Sequence, residues 1–216
     1  MAKENQETEV KLYIGNIKAI KERLRSFGAS LISPRTHEFN LRFDTPSKDF
    51  TRDGRVLRLR QDEAIRLTYK DGRQLKDGVL SRREIEFSVS NFDLARQFIE
   101  ALGYEIVFIY EKYRTTYSLP NTTTHTEKDL HSLEMQIMVD ELPYGNFIEI
   151  EGDFVELKPL ARSLDLNWDA AIPASYHDLF NRVCQSRNLS FRDLRFENFH
   201  GIEINTTDLG VVPADL

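Results

Sequence analysis

Acidic and basic side chains that alternate with apolar ones are the residues of this sequence best suited to chemistry. Near the amino terminus, Glu7, Glu9 and Lys11 alternate with Thr8 and Val10. Successive side chains of a β-strand point to opposite faces, so this spacing places the three charges on one face. The same alternation recurs along the chain, and its further charged members are Arg58, Arg60, Arg66, Lys70, Arg82, Glu84, Glu86, Lys112, Arg114, Asp140, Glu149 and Glu151.

If these charged faces meet, they form a single site rich in both signs of charge. Arginine forks and lysine ammonium groups bind phosphate oxygens. Paired glutamates supply the hard oxygen atoms that Mg²⁺ or Mn²⁺ prefers. A linear triphosphate with divalent ions would satisfy both sets, and phosphoryl transfer needs mainly positioning and charge neutralisation. The alternative is a structural network in which the acids and bases neutralise one another.

Composition limits the class of protein. The chain has 216 residues, 40% of them apolar, and a net charge of −6, which predicts a folded globular protein and argues against a general nucleic-acid binder. Cys184 is the only cysteine, so no internal disulfide can form and a reducing compartment is indicated. No apolar run approaches the ~20 residues of a membrane span, and the amino terminus lacks the apolar core of a signal peptide. We therefore expect a cytoplasmic protein that binds neither nucleic acid nor membrane.

Turn residues and apolar periodicity divide the chain into strands and helices. Asn16, Asn91 and Ser175 are predicted N-caps of amphipathic helices, and a short helix is expected to begin near Pro159 because proline blocks a helix through it. The predicted strands are 7–14, 36–44, 55–61, 64–70, 80–88, 104–119, 131–140 and 146–152, and the clearest predicted helices are 17–27, 91–102 and 176–187.

Some segments carry more specific expectations. The helix after Asn91 should turn Phe98 and Leu102 inward together with Ala95 and Ile99. Segment 71–78 is polar and should be a mobile loop, and 120–129 should be a Thr-rich loop. In the tail, 188–216, we expect part of the chain to pack on the body and the last residues to fray.

The helices determine which face of the strands is inside. Each amphipathic helix needs an apolar surface to cover, so the apolar faces of the strands should lie outside, beneath the helices, and the charged faces should line the lumen. Strand, helix, glycine and three strands occur twice, in the similar segments 5–75 and 80–152. The sequence thus predicts an α+β protein with an eight-stranded antiparallel closed β-barrel and helices packed outside.

Other candidate sites are weaker. The five histidines show no zinc-binding spacing with Cys184, and there is no Walker P-loop. Cys184 and Trp168 are expected to serve packing. Phe39, Tyr69 and Phe147 are assigned to the outward face, which leaves no aromatic residue identified as an adenine pocket.

The charged motifs together resemble the CYTH family, also called triphosphate tunnel metalloenzymes, which includes class IV adenylyl cyclases and thiamine triphosphatases. The resemblance covers about residues 5–187, within a tunnel domain placed at 1–187, and leaves the 188–216 tail without a role. Its motifs, in order, are Glu7-x-Glu9-x-Lys11, Leu57-Arg58-Leu59-Arg60, Thr68-Tyr69-Lys70, Arg82-x-Glu84-x-Glu86, Lys112-x-Arg114, and Asp140 followed by Gly145-Asn146-Phe147-Ile148-Glu149-Ile150-Glu151.

The resemblance implies a role for each site residue. Glu7, Glu9, Glu149 and Glu151 would hold Mg²⁺ or Mn²⁺, with Asp140 and Glu86 in support. Glu9, Glu149 and Lys11 would be catalytic. The triphosphate would be bound by Lys11, Arg58, Arg60, Lys70, Arg82, Lys112 and Arg114.

The resemblance also leaves the reaction open. A hydrolase directs water at the terminal phosphorus, whereas a cyclase directs the ribose 3′-hydroxyl of ATP at the α-phosphorus. We expect a triphosphatase acting on tripolyphosphate, ATP or thiamine triphosphate, with an adenylyl cyclase as the second choice. A non-catalytic polyphosphate- or nucleotide-binding module and a purely structural barrel are the remaining alternatives. The barrel rim or the tail could form a homodimer.

Overall fold

The structure is a computed structural model that describes residues 3–119 and 135–215. Among those residues, no helix is long and apolar enough to cross a membrane. The strands are β1 (Lys3–Ile14), β2 (Ser30–Asp44), β3 (Val56–Gln61), β4 (Ile65–Lys76), β5 (Val79–Ser88), β6 (Glu105–Leu119), β7 (Met135–Leu142) and β8 (Gly145–Glu151). The helices are α1 (Ile17–Ser26), α2 (Asp49–Arg52), α3 (Phe92–Ala101), α4 (Phe154–Ser163), α5 (Tyr176–Arg187) and α6 (Thr206–Leu209), with short 3₁₀ turns at Trp168–Ala170 and Phe196–Phe199.

The eight strands form one antiparallel sheet, which confirms the predicted α+β class. Their order is β1-β5-β4-β3-β2-β6-β7-β8, and β1 pairs with both β5 and β8. Every strand therefore has two hydrogen-bonded neighbours, and the pairs make a complete ring. The predicted succession of strand, helix and three strands occurs twice along the chain, with α2 as an addition between β2 and β3.

The charged face of β1 points into the ring and its apolar face points outward, as predicted. Val10, Leu12 and Ile14 are fully buried in a cluster with side chains of α1 and α4, such as Leu24 and Leu157. Burying such aliphatic side chains stabilises the fold by about 1.5–3 kcal/mol each, which determines the face of the strand that points outward. Because the period of a strand is 2, the alternate charges must then face the interior.

The predicted N-caps of α1 and α3 are confirmed. The side chains of Asn16 and Asn91 accept hydrogen bonds from the N–H groups of Ala19 at 3.1 Å and Leu94 at 2.9 Å. These bonds satisfy backbone donors that a helix start leaves unpaired. After α1, Gly28 has a φ of +84°, a conformation that favours glycine and ends the helix.

The burial predicted for α3 is partly wrong. Ile99 is buried against Leu41 and Leu59, but Phe98 is 66% exposed and Leu102 is 62% exposed. The helix touches the sheet through a narrow face, so Phe98, next to Ile99 in sequence, is turned about 100° away from it, whereas Leu102 lies past the last helical residue as the C-cap. The apolar pattern of α3 is wider than the surface that it covers.

Helix α5 closes one end of the ring. Its predicted cap is confirmed as a reciprocal capping box between Ser175 and Asp178. Phe180 of α5 packs on Phe108, whose ring faces inward with its centroid 5.4 Å away. Phe147, which was assigned to the outward face, shares its face with Glu149 and packs inside against α5. The assignment was wrong because Phe147 and Glu149 are two residues apart on one strand.

Two local predictions fail for identifiable reasons. Segment 71–78 is not a loop, because β4 continues to Lys76 and pairs with β5 up to a turn at Asp77 and Gly78, both with positive φ. Helix α4 runs through Pro159 instead of beginning near it. Asp153 caps its start by accepting from Val155 N–H at 3.0 Å, and the burial of Leu157 offsets the missing proline donor.

The tail packs on the body through Asp215, so the expected fraying of its last residues is wrong to that point. Leu194 is fully buried and exchanges backbone hydrogen bonds with β6 at 2.9 Å. Asp215 accepts from the N–H groups of Gly15 at 2.7 Å and Asn16 at 2.8 Å, where β1 gives way to α1. The predicted Thr-rich loop at 120–129 and the first part of the strand near 131–140 lie outside the described residues.

Candidate functional site

The ring encloses a charged cavity of about 630 Å³. Its lining includes each of the seven predicted phosphate-binding cations and five of the six predicted metal ligands. The exception is Asp140, which is fully buried behind the lining. The predicted residues in the lining are Glu7, Glu9, Lys11, Arg58, Arg60, Lys70, Arg82, Lys112, Arg114, Glu86, Glu149 and Glu151.

Four carboxylates converge where β1 pairs with β8. Glu9 lies directly opposite Glu151, and Lys11 lies opposite Glu149. Burial and then repulsion from Glu149 and Glu7 raise the pKa of Glu9. Burial and then repulsion from Glu7 and Glu9 raise the pKa of Glu151 to about 7. This side of the cavity therefore holds more negative charge than its cations neutralise.

Arg82 donates to Glu9 at 3.0 Å, but cations hold the other two members of the cluster, Glu7 and Glu149, more strongly. Lys70 Nζ donates to Glu7 Oε1 at 2.6 Å. Burial opposes ionisation of Glu7, but Lys70 and Arg82 outweigh it and lower its pKa to about 2. Glu149 contacts Arg114 and lies 3.3 Å from Lys11 Nζ, and these cations, with Lys112, hold its pKa well below the ordinary value despite burial. Both residues stay ionised at neutral pH.

The carboxylates do not form a ready-made coordination shell. In the parts of the chain that the structure describes, no group of three or more acidic, histidine or cysteine side chains stands in position for a metal ion. The ion pairs made by Glu7 and Glu149 account for this, because each carboxylate is turned toward its cation. The donor chemistry nevertheless fits a hard divalent cation, since Glu9 and Glu151 present oxygen atoms and Glu151 is repelled by Glu7 and Glu9.

The two predicted supporting acids are surrounded by cations. Asp140 accepts from Lys112 Nζ at 2.8 Å, from Arg114 and from the hydroxyl of Tyr176 at 2.8 Å. It thus fixes the positions of two predicted phosphate-binding side chains. Glu86 lies 3.5 Å from Arg60 and accepts from the hydroxyl of Thr68 at 2.8 Å. Burial opposes ionisation of Glu86, but Arg60 and Arg58 outweigh it and lower its pKa.

Three cavity residues were missed by the site prediction. Glu38 is 3% exposed and lies 3.4 Å from Lys112 and 3.7 Å from Arg60. Arg42 lines the cavity from the same strand. Both alternate with apolar residues in the predicted strand 36–44, so their parity was the available signal. Tyr176 was expected to be buried on α5. The apolar period of that helix could not indicate that its hydroxyl would donate to Asp140.

Several known proteins are similar to this chain. A CYTH domain model matches residues 5–163. A protein of Methanocaldococcus jannaschii named "Putative adenylate cyclase" is 24% identical over 174 residues, which are 80% of this chain and 97% of that protein. A solved structure of a "putative adenylate cyclase" from Vibrio parahaemolyticus has a TM-score of 0.67 at 20% identity and covers 83% of this chain and 99% of its own.

A second solved structure, of a "putative adenylyl cyclase" from Hippeastrum, is described as revealing a dominant triphosphatase activity. It has a TM-score of 0.53 at 18% identity and covers 81% of this chain and 95% of its own. At these identities the two structures show a shared fold. The family model, in contrast, spans most of the sequence and includes β1 through β8. The chain therefore belongs to the CYTH family.

Proposed function

We propose that this protein is a divalent-metal-dependent enzyme that hydrolyses inorganic or organic triphosphates, with the ring of strands acting as a closed tunnel. The observation that carries the proposal is the division of charge in the cavity. β1 and β8 bring together four carboxylates, and β3 to β6 present six of the seven predicted cations. A ligand that carries both negative phosphates and positive ions is complementary to such a surface.

The cations suit a chain of phosphates better than a single one. Arg58 and Arg60 come from β3, Lys70 from β4 and Arg82 from β5, so the positive groups are distributed around the ring. Each arginine can bind two phosphate oxygens at once through its planar fork. In the free protein these cations are held by carboxylates, which keeps them ordered within the cavity before the ligand arrives.

Glu7, Glu9, Glu149 and Glu151 would hold Mg²⁺ or Mn²⁺. When bound, such an ion supplies positive charge against phosphate oxygens. Among the four, Glu9 and Glu151 have the clearest reason to accept a cation, because burial and repulsion raise their pKa values, in Glu9 despite its contact with Arg82. A cation between them would relieve that repulsion.

The chemical step would use three residues of this cluster. Glu9, whose pKa is raised, is suited to accept a proton from an attacking water. Lys11 lies between Glu149 and the ring of Tyr176, which fixes its ammonium group inside the cavity. There Lys11 would stabilise negative charge that develops on the phosphates, and Glu149 would orient Lys11.

An adenylyl cyclase is the second candidate. The names of the Methanocaldococcus and Vibrio proteins favour it, whereas the description of the Hippeastrum protein favours hydrolysis. Cyclisation also needs a pocket for adenine. The aromatic rings that reach the closed end are already packed, since Phe108 stacks on Tyr110 and contacts His177. Hydrolysis, which needs a positioned water, places a smaller demand on this cavity.

A product assay by ³¹P NMR tests the proposal. Tripolyphosphate and ATP are supplied separately with Mg²⁺ or Mn²⁺, to the wild-type protein and to Glu9→Gln, with Glu22→Gln on the exposed face of α1 as the matched control. We expect orthophosphate from tripolyphosphate, lost in Glu9→Gln and kept in Glu22→Gln. Pyrophosphate together with cyclic AMP from ATP, without orthophosphate, would instead establish a cyclase. Binding without turnover of either compound would contradict an enzymatic role on these substrates.

A further inference from the structure

Among the described residues, Arg42 differs from the other arginines and lysines of the cavity in having no carboxylate within ion-pair distance. The seven predicted phosphate-binding cations each lie within 4.0 Å of an acidic oxygen. Within the described parts of the chain, the guanidinium of Arg42 makes neither an ion pair nor a hydrogen bond, although it lines the cavity. The side chain of Arg42 is half-buried, so its guanidinium can donate to an anionic ligand without first breaking an ion pair to another described residue.

The groups around Arg42 carry charges of both signs. Burial is the largest influence and lowers the pKa of Arg42; Asp178 and Asp44 oppose it, and Arg82 adds to it. Arg42 stands directly opposite Arg58 on the neighbouring strand and opposite Phe108 on the other side. Like charges at opposed positions repel each other. The nearest acid of α5 is Asp178, and its carboxylate already accepts from Ser175 N–H at 2.9 Å and Ser175 Oγ at 2.8 Å. His177, beside it, has a pKa lowered to about 4 by burial and by Arg42, so it is neutral at pH 7.

The position of Arg42 also indicates how a bound ligand would be oriented in the cavity. Arg42 lies at the end of the cavity that α5 closes, beside Phe108 and His177. The cavity lining also includes the exposed side chains of Ile32 and Glu63. A ligand with a bulky organic end cannot place that end against the packed aromatic floor. Its phosphate end must face the floor, and the organic end must face the open mouth.

We infer that Arg42, together with Arg58, binds the terminal phosphate group of a triphosphate whose organic part lies toward the open mouth. This inference rests on the proposed function and adds the polarity of the ligand to it. A terminal phosphate offers three non-bridging oxygens and more negative charge than an internal one. Two adjacent guanidinium forks match that group, whereas an internal phosphate has fewer oxygens to offer.

The test compares two ligands that differ only at the terminal phosphate. These are β,γ-methylene ATP and its γ-methyl ester, in which the ester removes charge and one free oxygen. Binding is measured by calorimetry with Mg²⁺ for the wild-type protein, Arg42→Gln, Arg42→Lys and Arg96→Gln. Arg96 lies on α3, where it pairs with Glu100, so its substitution is a matched control outside the cavity.

Arg42→Gln should weaken binding of β,γ-methylene ATP by about 10- to 100-fold, the usual loss for a charged hydrogen bond. It should weaken binding of the γ-methyl ester by a clearly smaller factor. Arg42→Lys keeps the charge without the fork and should fall between Arg42→Gln and the wild type, and Arg96→Gln should match the wild type. Because Arg42 has no ion pair to lose, thermal unfolding should show each Arg42 variant folded.

Two results would overturn the inference alone, and a third would overturn the proposed function as well. Equal losses for both ligands would mean that Arg42 contacts another part of the molecule. No loss in either Arg42 variant would mean that Arg42 does not contact the ligand at all. If the wild-type protein bound neither ligand, nor tripolyphosphate, the proposed function itself would fail, and this inference with it.

Discussion

The four glutamates on β1 and β8 are chemically identical, but the structure separates them into two pairs. Glu7 and Glu149 each contact a lysine and an arginine, which hold their pKa values low. Glu9 and Glu151 face each other across the strand pair, and their pKa values are raised. Glu9 also accepts from Arg82 at 3.0 Å, but burial and repulsion from Glu149 and Glu7 outweigh that contact, so the raised pair marks the place where negative charge is least compensated.

This difference predicts how stability depends on pH without metal. The pKa of Glu151 rises from 4.5 in the unfolded chain to about 7 in the folded protein. Between these values the folded protein keeps a proton that the unfolded chain releases, so the free energy of unfolding falls as pH rises. In Glu151→Gln this loss is absent. The variant should gain up to about 3 kcal/mol relative to wild type between pH 4 and pH 8, measured by urea unfolding in EDTA.

Glu22→Gln is the matched control, because Glu22 is exposed on α1 and away from the cavity. Its unfolding free energy should follow that of the wild type at every pH. Adding Mg²⁺ at pH 8 should stabilise the wild type more than Glu151→Gln. If the free energies of unfolding of Glu151→Gln and the wild type differed by the same amount at every pH, Glu151 would not be under repulsion.

For Glu38 we expect the opposite effect, a loss of stability when its carboxylate is replaced. It lies among Lys112, Arg114 and Arg60, which lower its pKa to about 2 although burial opposes ionisation. Glu38→Gln removes one carboxylate from these cations, which keep Asp140 and Glu86 as partners, and should lower the free energy of unfolding by about 1.5–3 kcal/mol, the usual loss for a charged hydrogen bond. Tripolyphosphate affinity should stay the same or rise, because the cavity gains net positive charge.

The control for Glu38→Gln is Glu63→Gln, an exposed acid that also lines the cavity. It should leave the stability unchanged to within about 0.5 kcal/mol. Chemical unfolding and calorimetry on the same samples separate the two effects. Loss of tripolyphosphate binding in Glu38→Gln at unchanged stability would assign Glu38 to the ligand or its metal ion instead.

At the scale of elements, the sequence predicts a helix or strand well where local chemistry alone decides it. Asn16, Asn91 and Ser175 are caps in the structure because a side-chain oxygen there can reach a free backbone N–H. Which face of each charged strand would point inward was also predictable, since alternate side chains of a strand can point to only two faces. Phe98 could not be predicted, because the width of the surface under α3 depends on strands that are distant in sequence.

The same distinction applies to the candidate site. The charged residues were predictable from parity, but the ion pairs were not, because strand register decides which acid meets which cation. Asp140, for example, meets Lys112 and Arg114 through the pairing of β6 with β7. Arg42 had the right parity, yet only the structure shows that no carboxylate in the described part of the chain makes an ion pair with it.

The tail gives a prediction at the element scale. Leu194 is fully buried and ties the tail to β6, the strand that carries Lys112 and Arg114. Leu194→Ala should lower the free energy of unfolding by about 2–5 kcal/mol, as for other buried leucines. Val212→Ala is the control, because Val212 lies in the same tail and is 64% exposed. A similar small effect of both substitutions in urea unfolding would show that the tail does not stabilise the ring.

At the scale of the whole molecule, the acids and bases of the cavity pair with one another, and each occupies the place that a charged ligand would take. Glu7 is held by Lys70 and Arg82, and Glu149 is held by Lys11 and Arg114. A metal ion must take carboxylates away from these cations. A triphosphate would take the cations away from the carboxylates, so each ligand should prepare the site for the other.

This exchange of partners predicts positive coupling between Mg²⁺ and tripolyphosphate, in which each raises the affinity of the protein for the other. Lys70→Gln isolates the effect, because it removes the closer of the two cations that hold Glu7, and leaves Arg82, without any triphosphate present. The variant should bind Mg²⁺ alone more tightly than the wild type and should show weaker coupling, measured by calorimetry. Complexes between Mg²⁺ and tripolyphosphate in solution are the same for both proteins and cancel in the comparison. Unchanged or weaker binding of Mg²⁺ to a folded Lys70→Gln would mean that the ion does not compete with Lys70 for Glu7.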